Sequence, residues 1–157
     1  MKRIGLCWCL MGCQASVDSD VDTAGETELQ ELGQIQGTIA RAVDYQGDGV
    51  GHLLVLAFYN IEPQLGLYPV SSLALSYVDL TSDDVEIEYT LTHLFPEPRP
   101  YFVAAVFDDD GSVLESGDWE PTAGDLMTAP LTPGTHSPVY VGSGEQVCLD
   151  LTLSVVY

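Results

Sequence analysis

The chain has 157 residues, 46% of them hydrophobic, and carries 24 acidic side chains against four lysines and arginines, for a formal net charge of −20. A field of that sign repels phosphate backbones and argues against nucleic-acid binding, while the apolar content is enough for one domain with its own core. Three of the four cysteines fall within residues 7–13, leaving only Cys148 elsewhere; a zinc site needs about four ligands, usually with a second pair later in the chain, which argues against metal clamping by cysteine.

Lys2 and Arg3 are followed by nine uncharged residues, Ile4 to Gly12. A basic start and an apolar run of roughly 7–15 residues form a secretory signal, too short to span a bilayer that takes about 20 helical residues. The run ends in Leu10-Met11-Gly12-Cys13. This resembles the lipobox of bacterial lipoprotein precursors. The resemblance implies that the Cys13 thiol takes a diacylglyceryl group, that residues 1–12 are cut away, and that the new amino terminus is acylated. Gln14 after it fits outer-membrane sorting. The competing reading is ordinary secretion or release to the periplasm, with a cut after Ala15 in Cys13-Gln14-Ala15. Cys7 and Cys9 are apolar filler in a discarded segment. Loss of residues 1–12 leaves 145 residues with a formal charge of −22, two arginines (Arg41 and Arg99) against 24 acids, and no lysine.

Residues 13–34 read as the lipidated cysteine and an acidic tether, QASVDSDVDTAGETELQELG, with one helical turn around Glu26 to Leu32. Few large apolar side chains leave it unable to offset its ordering entropy, and twenty flexible residues reach roughly 25 Å.

The domain proper is expected over 35–157. IQGTIARAV (35–43) and HLLVLAFYN (52–60) flank a Gly-rich turn, and LALSYVDL (73–80) and VEIEYTLTHL (85–94) flank an acidic one. The last alternates cleanly, with Val85, Ile87, Tyr89 and Leu91 on one face and Glu86, Glu88, Thr90 and Thr92 on the other, which is the period of a strand with one wet face. PEPRP turns the chain into YFVAAVF (101–107). A stretch from 108 to 134 is long for a connection in a compact domain, and HSPVYVGS (136–143) and QVCLDLTLSVVY (146–157) follow. In the last of these Leu149, Leu151, Leu153 and Val155 oppose Asp150, Thr152 and Ser154. Seven strands without helical periodicity predict an all-β chain folded as a single antiparallel sandwich, with a barrel as the alternative.

The order of features resembles the prealbumin-like domains, including carboxypeptidase regulatory-like and collagen-adhesin B-type modules. GTIA opens a first strand, a Gly-rich turn leads to LLVLAFYN, PEPRPYFVAAVFDDDG supplies a proline corner, a tyrosine strand and an acidic turn, and LDLTL closes. The resemblance spans about residues 35–157. It implies a seven-stranded Greek-key sandwich, structural or adhesive and without catalytic residues. The long loop after Phe107 and the lack of a glycine before Tyr101 depart from the pattern.

The acidic loop offers the candidate calcium ligands Asp108, Asp109, Asp110, Glu115, Asp118 and Glu120, since calcium takes six to eight oxygens from carboxylates, carbonyls and water. The EF-hand spacing fails, however. Counting from Asp108, Val113 stands where glycine is needed and Trp119 where a bidentate acid is needed; counting from Asp44, the last position is Val55. The plainer role for these acids is to cap turn amides. Trp119 is the candidate contact for a sugar ring or protein ligand, or else a lid on the sandwich end. His52, His93 and His136 sit on three separate segments, which argues against zinc. No GxSxG elbow or phosphate loop is present, and Gly142-Ser143-Gly144 reads as a turn. Cys148 reads as a small buried hydrophobe.

The sequence therefore predicts a non-catalytic, cofactor-free binding or structural module of the bacterial envelope. Its partners are the lipid bilayer, through Cys13, and a protein or glycan ligand. A calcium-dependent adhesive or carbohydrate-binding module is the alternative.

Overall fold

The computed structural model describes residues 30–43, 49–61, 68–82, 85–96, 98–113 and 121–157. Cys13, Glu115, Asp118, Trp119 and Glu120 lie outside the described residues. The elements that lie wholly among these residues are strands: β1 (Gly33–Arg41), β2 (Val50–Phe58), β3 (Ser71–Asp79), β4 (Glu86–Leu94), β5 (Tyr101–Asp108), β6 (Leu126–Met127), β7 (Pro138–Val139), β8 (Gln146–Cys148), β9 (Leu151–Leu153) and β10 (Val155–Val156). Among these residues no helix is long and apolar enough to cross a membrane.

The strands form two sheets. In the first, β4 pairs antiparallel with β1, and β8 and β9 follow each other along the other edge of β1 in parallel register. The second has the order β10-β6-β5-β2-β3, with β7 also beside β5. The expected alternation holds where it was cleanest. In β4, Tyr89 and Leu91 are buried, while Glu86, Glu88, Thr90 and Thr92 are exposed. β2 and β5 are instead buried along almost their whole length. Such continuous apolar runs mean that both faces of the sheet are covered.

Two hydrophobic layers result. Between the sheets lie Ile35, Ile39, Leu53, Val55, Tyr89, Leu91, Tyr101, Val103, Phe107, Leu126 and Leu153. On the outer face of the second sheet, Leu54, Leu56, Phe58, Ala104 and Val106 pack with Ile61, Val113, Met127 and Leu131. The segment expected to be a loop from 108 to 134 thus contributes a short strand and a second apolar layer. Its unusual length is explained by the face it closes.

The predicted strand 146–157 is cut into three pieces. β8 and β9 belong to the first sheet, whereas β10 joins β6 in the second. At the break after β8, the Leu149 N–H donates to Gln36 O (2.8 Å), and the Leu149 carbonyl crowds Gly37. The Asp150 carboxylate then accepts from Thr38 N (2.9 Å) and Thr38 Oγ1 (3.1 Å), replacing a ladder rung with a side chain. Tyr89 OH donates to the Leu149 carbonyl (2.7 Å), and burial, with Asp150 and Cys148 nearby, raises its pKa.

The edge strands β3 and β4 each carry an irregularity. The register shifts between Gly51 and Leu53 and between Gly33 and Ile35, and Tyr77 (φ 59°) and His93 (φ 61°) adopt left-handed backbones opposite them. Bulges of this kind twist a sheet edge away from pairing with a second chain.

The register defines two ends. β2 finishes, β3 begins, β4 finishes, β5 begins and β1 starts at one end, as the contact of Ser71 Oγ with Thr92 O (3.3 Å) confirms. Asp79, Glu86 and Asp108 mark the other.

Candidate functional site

β5 delivers its last residue, Asp108, to the second end of the sandwich, opposite His52 of β2. The chain then turns through Asp109 and Asp110 with Gly111 at φ 80°, a conformation that glycine reaches without strain. It returns through Thr122 and Gly124 to Asp125, which immediately precedes β6. Asp108, Asp110 and Asp125 each offer a carboxylate oxygen within 4.8 Å of the other two. Asp108 and Asp125 are buried and Asp110 is exposed, so the group opens to solvent on one side.

Two of these carboxylates also hold the loop together. Asp125 Oδ2 accepts from Thr122 N (2.6 Å) and Thr122 Oγ1 (3.3 Å), and its Oδ1 accepts from Asp109 N (3.2 Å). Asp110 Oδ1 accepts from Ser112 N (2.9 Å), closing a short turn of the kind aspartate favours. Ser112 Oγ and Thr122 Oγ1 meet at 3.0 Å, tying the two sides of the loop. The carboxyl-terminal segment completes the corner: Gly124 N donates to Tyr157 O and Tyr157 N to Asp125 O.

Amide capping and cation binding are compatible here, because an ionised carboxylate has about four lone-pair sites and the amides use only some of them. A hard cation such as calcium would draw on the three carboxylates together with carbonyls and water. The geometry can hold such an ion.

Of the expected ligands, the structure brings Asp108 and Asp110 together. Asp109 contributes its backbone N–H to Asp125 and is not part of the group. Asp125 was not among the expected ligands, because fourteen positions separate it from the DDD run at Asp108–Asp110. The signal available in the sequence was Thr122-Ala123-Gly124-Asp125, a hydroxyl residue and an acid spaced as in a turn cap.

The charges leave their mark on protonation. Burial raises the Asp125 pKa, with Asp108 and Asp109 adding to it, against the amide hydrogen bonds that lower it. Asp110 and, at the β3 terminus, Asp79 are lowered by hydrogen bonds from Ser112 and Thr81. A carboxyl raised in the folded state binds its proton more tightly there than in the unfolded chain. Its penalty is therefore absent below the ordinary aspartate value of about 3.9 and grows as pH climbs through the raised value. The lowered pair act oppositely, stabilising above about 3.9 and losing that contribution as pH falls through their folded values. Stability followed by denaturant titration should decline as pH rises from about 4 across the Asp125 titration. In Asp125→Asn that slope should flatten. An unchanged slope would assign it to another group.

The histidines stay apart. His52 lies half-buried with its ring 6.2 Å from that of Tyr77, His93 is exposed with Nδ1 2.8 Å from Thr92 Oγ1, and His136 Nδ1–H donates to Val103 O (3.1 Å). None belongs to a group of metal-ligating side chains among the described residues. Cys148 is half-buried on β8. No family model, curated protein or solved structure matches this chain.

Proposed function

We propose that the protein is a bacterial cell-envelope lipoprotein, anchored through an acylated Cys13, whose β-sandwich is a non-catalytic binding or structural module. The observation that carries this reading is Lys2-Arg3, an uncharged run, and Leu10-Met11-Gly12-Cys13 within the first thirteen residues. An outer-membrane address follows from Gln14. The finer fold reading is a seven-stranded, prealbumin-like Greek key, with β8 to β10 taken as one interrupted strand. Its support is the strand order, β4-β1-β8/β9 in one sheet and β3-β2-β5-β7 in the other, with β6 as an addition.

Several acyl chains give stable anchoring at about 0.8 kcal/mol per buried CH₂, where a single chain is marginal. Mass spectrometry of the mature amino terminus should find a triacylated or diacylated Cys13. Cys13→Ser should leave an unprocessed precursor without lipid. Mature protein starting at Ser16 would overturn the anchor.

A second reading rests on the clustering of Asp108, Asp110 and Asp125. In it the module is adhesive or carbohydrate-binding and calcium-dependent, the ion bracing the corner next to the 114–120 segment that contains Trp119. Calcium added to chelator-treated protein should raise the melting temperature and alter tryptophan emission. At 100 times Kd the gain is about 2.7 kcal/mol. No response in either measurement removes this reading.

A further inference from the structure

We infer that the end of the sandwich from which the amino-terminal chain departs is a membrane-contacting surface that rests its exposed aromatic residues in the interfacial layer of the bilayer. This rests on the lipid-anchor reading above and adds an orientation to it.

Three independent features meet at that end. The first is where the chain leaves. β1 begins at Gly33 beside Leu94, and Glu31 is fixed just before it by Ser143 Oγ (3.0 Å to Glu31 N) and by Gly144 N donating to Glu31 O (2.9 Å). Seventeen residues, 14–30, separate this point from Cys13. Seventeen residues span at most about 60 Å even when fully extended. The end where β1 starts is therefore the one joined to the anchor, and the opposite end lies a further 30 Å or so away, the length of a nine-residue strand.

The second is what that end exposes. Five of the large hydrophobic side chains exposed among the described residues lie there, Phe95 (59%), Tyr140 (60%), Tyr68 (77%), Val70 (45%) and Leu32 (41%), while Val50, Tyr77, Val156 and Tyr157 are exposed toward the far end. Their placement follows from register: Phe95 succeeds β4, Tyr140 succeeds Val139 opposite Tyr101, and Val70 N donates to Ala57 O (2.8 Å) near the finish of β2. The platform is held in place from below. Tyr101 OH donates to Phe95 O (2.7 Å) and stands 3.3 Å from Tyr59 OH, with the two rings 5.1 Å apart. Arg99 extends over the Tyr59 ring at 5.0 Å. Aromatic rings with polar tips suit the headgroup level of a membrane.

The third is charge. Among the described residues, six carboxylates stand at the far end (Asp79, Glu86, Asp108, Asp109, Asp110 and Asp125). Among the described residues the near end has Glu31 and Glu145, and Arg99 over the Tyr59 ring, while Arg41 ends β1 at the far end. Repulsion from anionic lipid, acting within about 10 Å of the surface, then favours the orientation that turns the heavily acidic end outward. Weak contact is enough, because a short tether supplies a local concentration in the millimolar range.

The test uses the acylated full chain in phosphatidylcholine vesicles, with and without lipids brominated high on the acyl chain. Trp119→Phe removes the native emission, and Phe95→Trp, Tyr140→Trp and Tyr157→Trp report in turn from the near end, the near end again, and the far end. The near-end probes should lose most of their emission to bromine and shift to the blue, while the far-end probe stays unaffected. Two near-end probes guard against one substitution disturbing the fold, which the melting temperature monitors. Protein that floats with vesicles but shows no bromine quenching at either near-end probe overturns the docking and leaves the anchor standing. Equal quenching at both ends overturns the orientation. A blue shift that follows protein concentration and ignores bromine assigns the face to a second copy, which also overturns it. An unacylated amino terminus removes anchor and docking together.

Discussion

Phe58→Ala should lower the unfolding free energy by about 3–5 kcal/mol, as deletion of a fully buried aromatic ring from a packed core does. Phe58 ends β2 with no exposed surface, and it lies in the layer formed with Ile61, Val113, Met127 and Leu131, outside the interface between the sheets. Were the outer face of that sheet wet, this ring would be partly solvated and its loss would cost under about 1 kcal/mol, as for most surface positions. The two outcomes are far apart. At a few degrees per kcal/mol for a domain of this size, the expected loss lowers the melting temperature by about 10 °C or more. Urea titration should show a lower midpoint with an unchanged slope, since the surface exposed on unfolding is the same.

Gly37→Ala should be the most damaging single methyl addition. Gly37 has an ordinary strand conformation, so the effect is steric. A Cβ there would overlap the carbonyl oxygen and carbon of Leu149, and that carbonyl is backbone, pinned by Tyr89 OH. No flexible side chain is available to give way. Relief requires moving the break between β8 and β9, which also carries the Leu149–Gln36 and Asp150–Thr38 hydrogen bonds. Overpacking of this kind costs about 1–3 kcal/mol and sometimes more. Tyr89→Phe would free the carbonyl, so the double variant should lose less than the two single losses together; strict additivity would show that the pinned carbonyl is not the cause.

Local pattern carries much of this architecture. Period two in 85–94 requires one wet face, and β4 has one; unbroken apolar runs in 52–60 and 101–107 require cover on both sides, and β2 and β5 have it. What covers them was not legible. Val113, Met127 and Leu131 are separated by unequal steps among glycines, prolines and acids, so no periodicity marks them as core. The division of the last strand was hidden for a related reason. Leu149 to Val155 alternate without a fault, and burial follows that alternation through the change of sheet. Alternation reports which way a side chain points and is silent about which sheet it points from. The acidic corner was half legible. The run Asp108–Asp110 announced it, but the third carboxylate comes from Asp125, just before β6.

The split terminal strand has a consequence for how the protein is made. β8 and β9 lie against β1, more than a hundred residues earlier, and β10 fastens the other sheet. Neither sheet is complete without residues 146–156. Pairing of such distant segments is slow. Until residues 146–156 are present both sheets lack an edge strand, so closure of the sandwich waits on that segment.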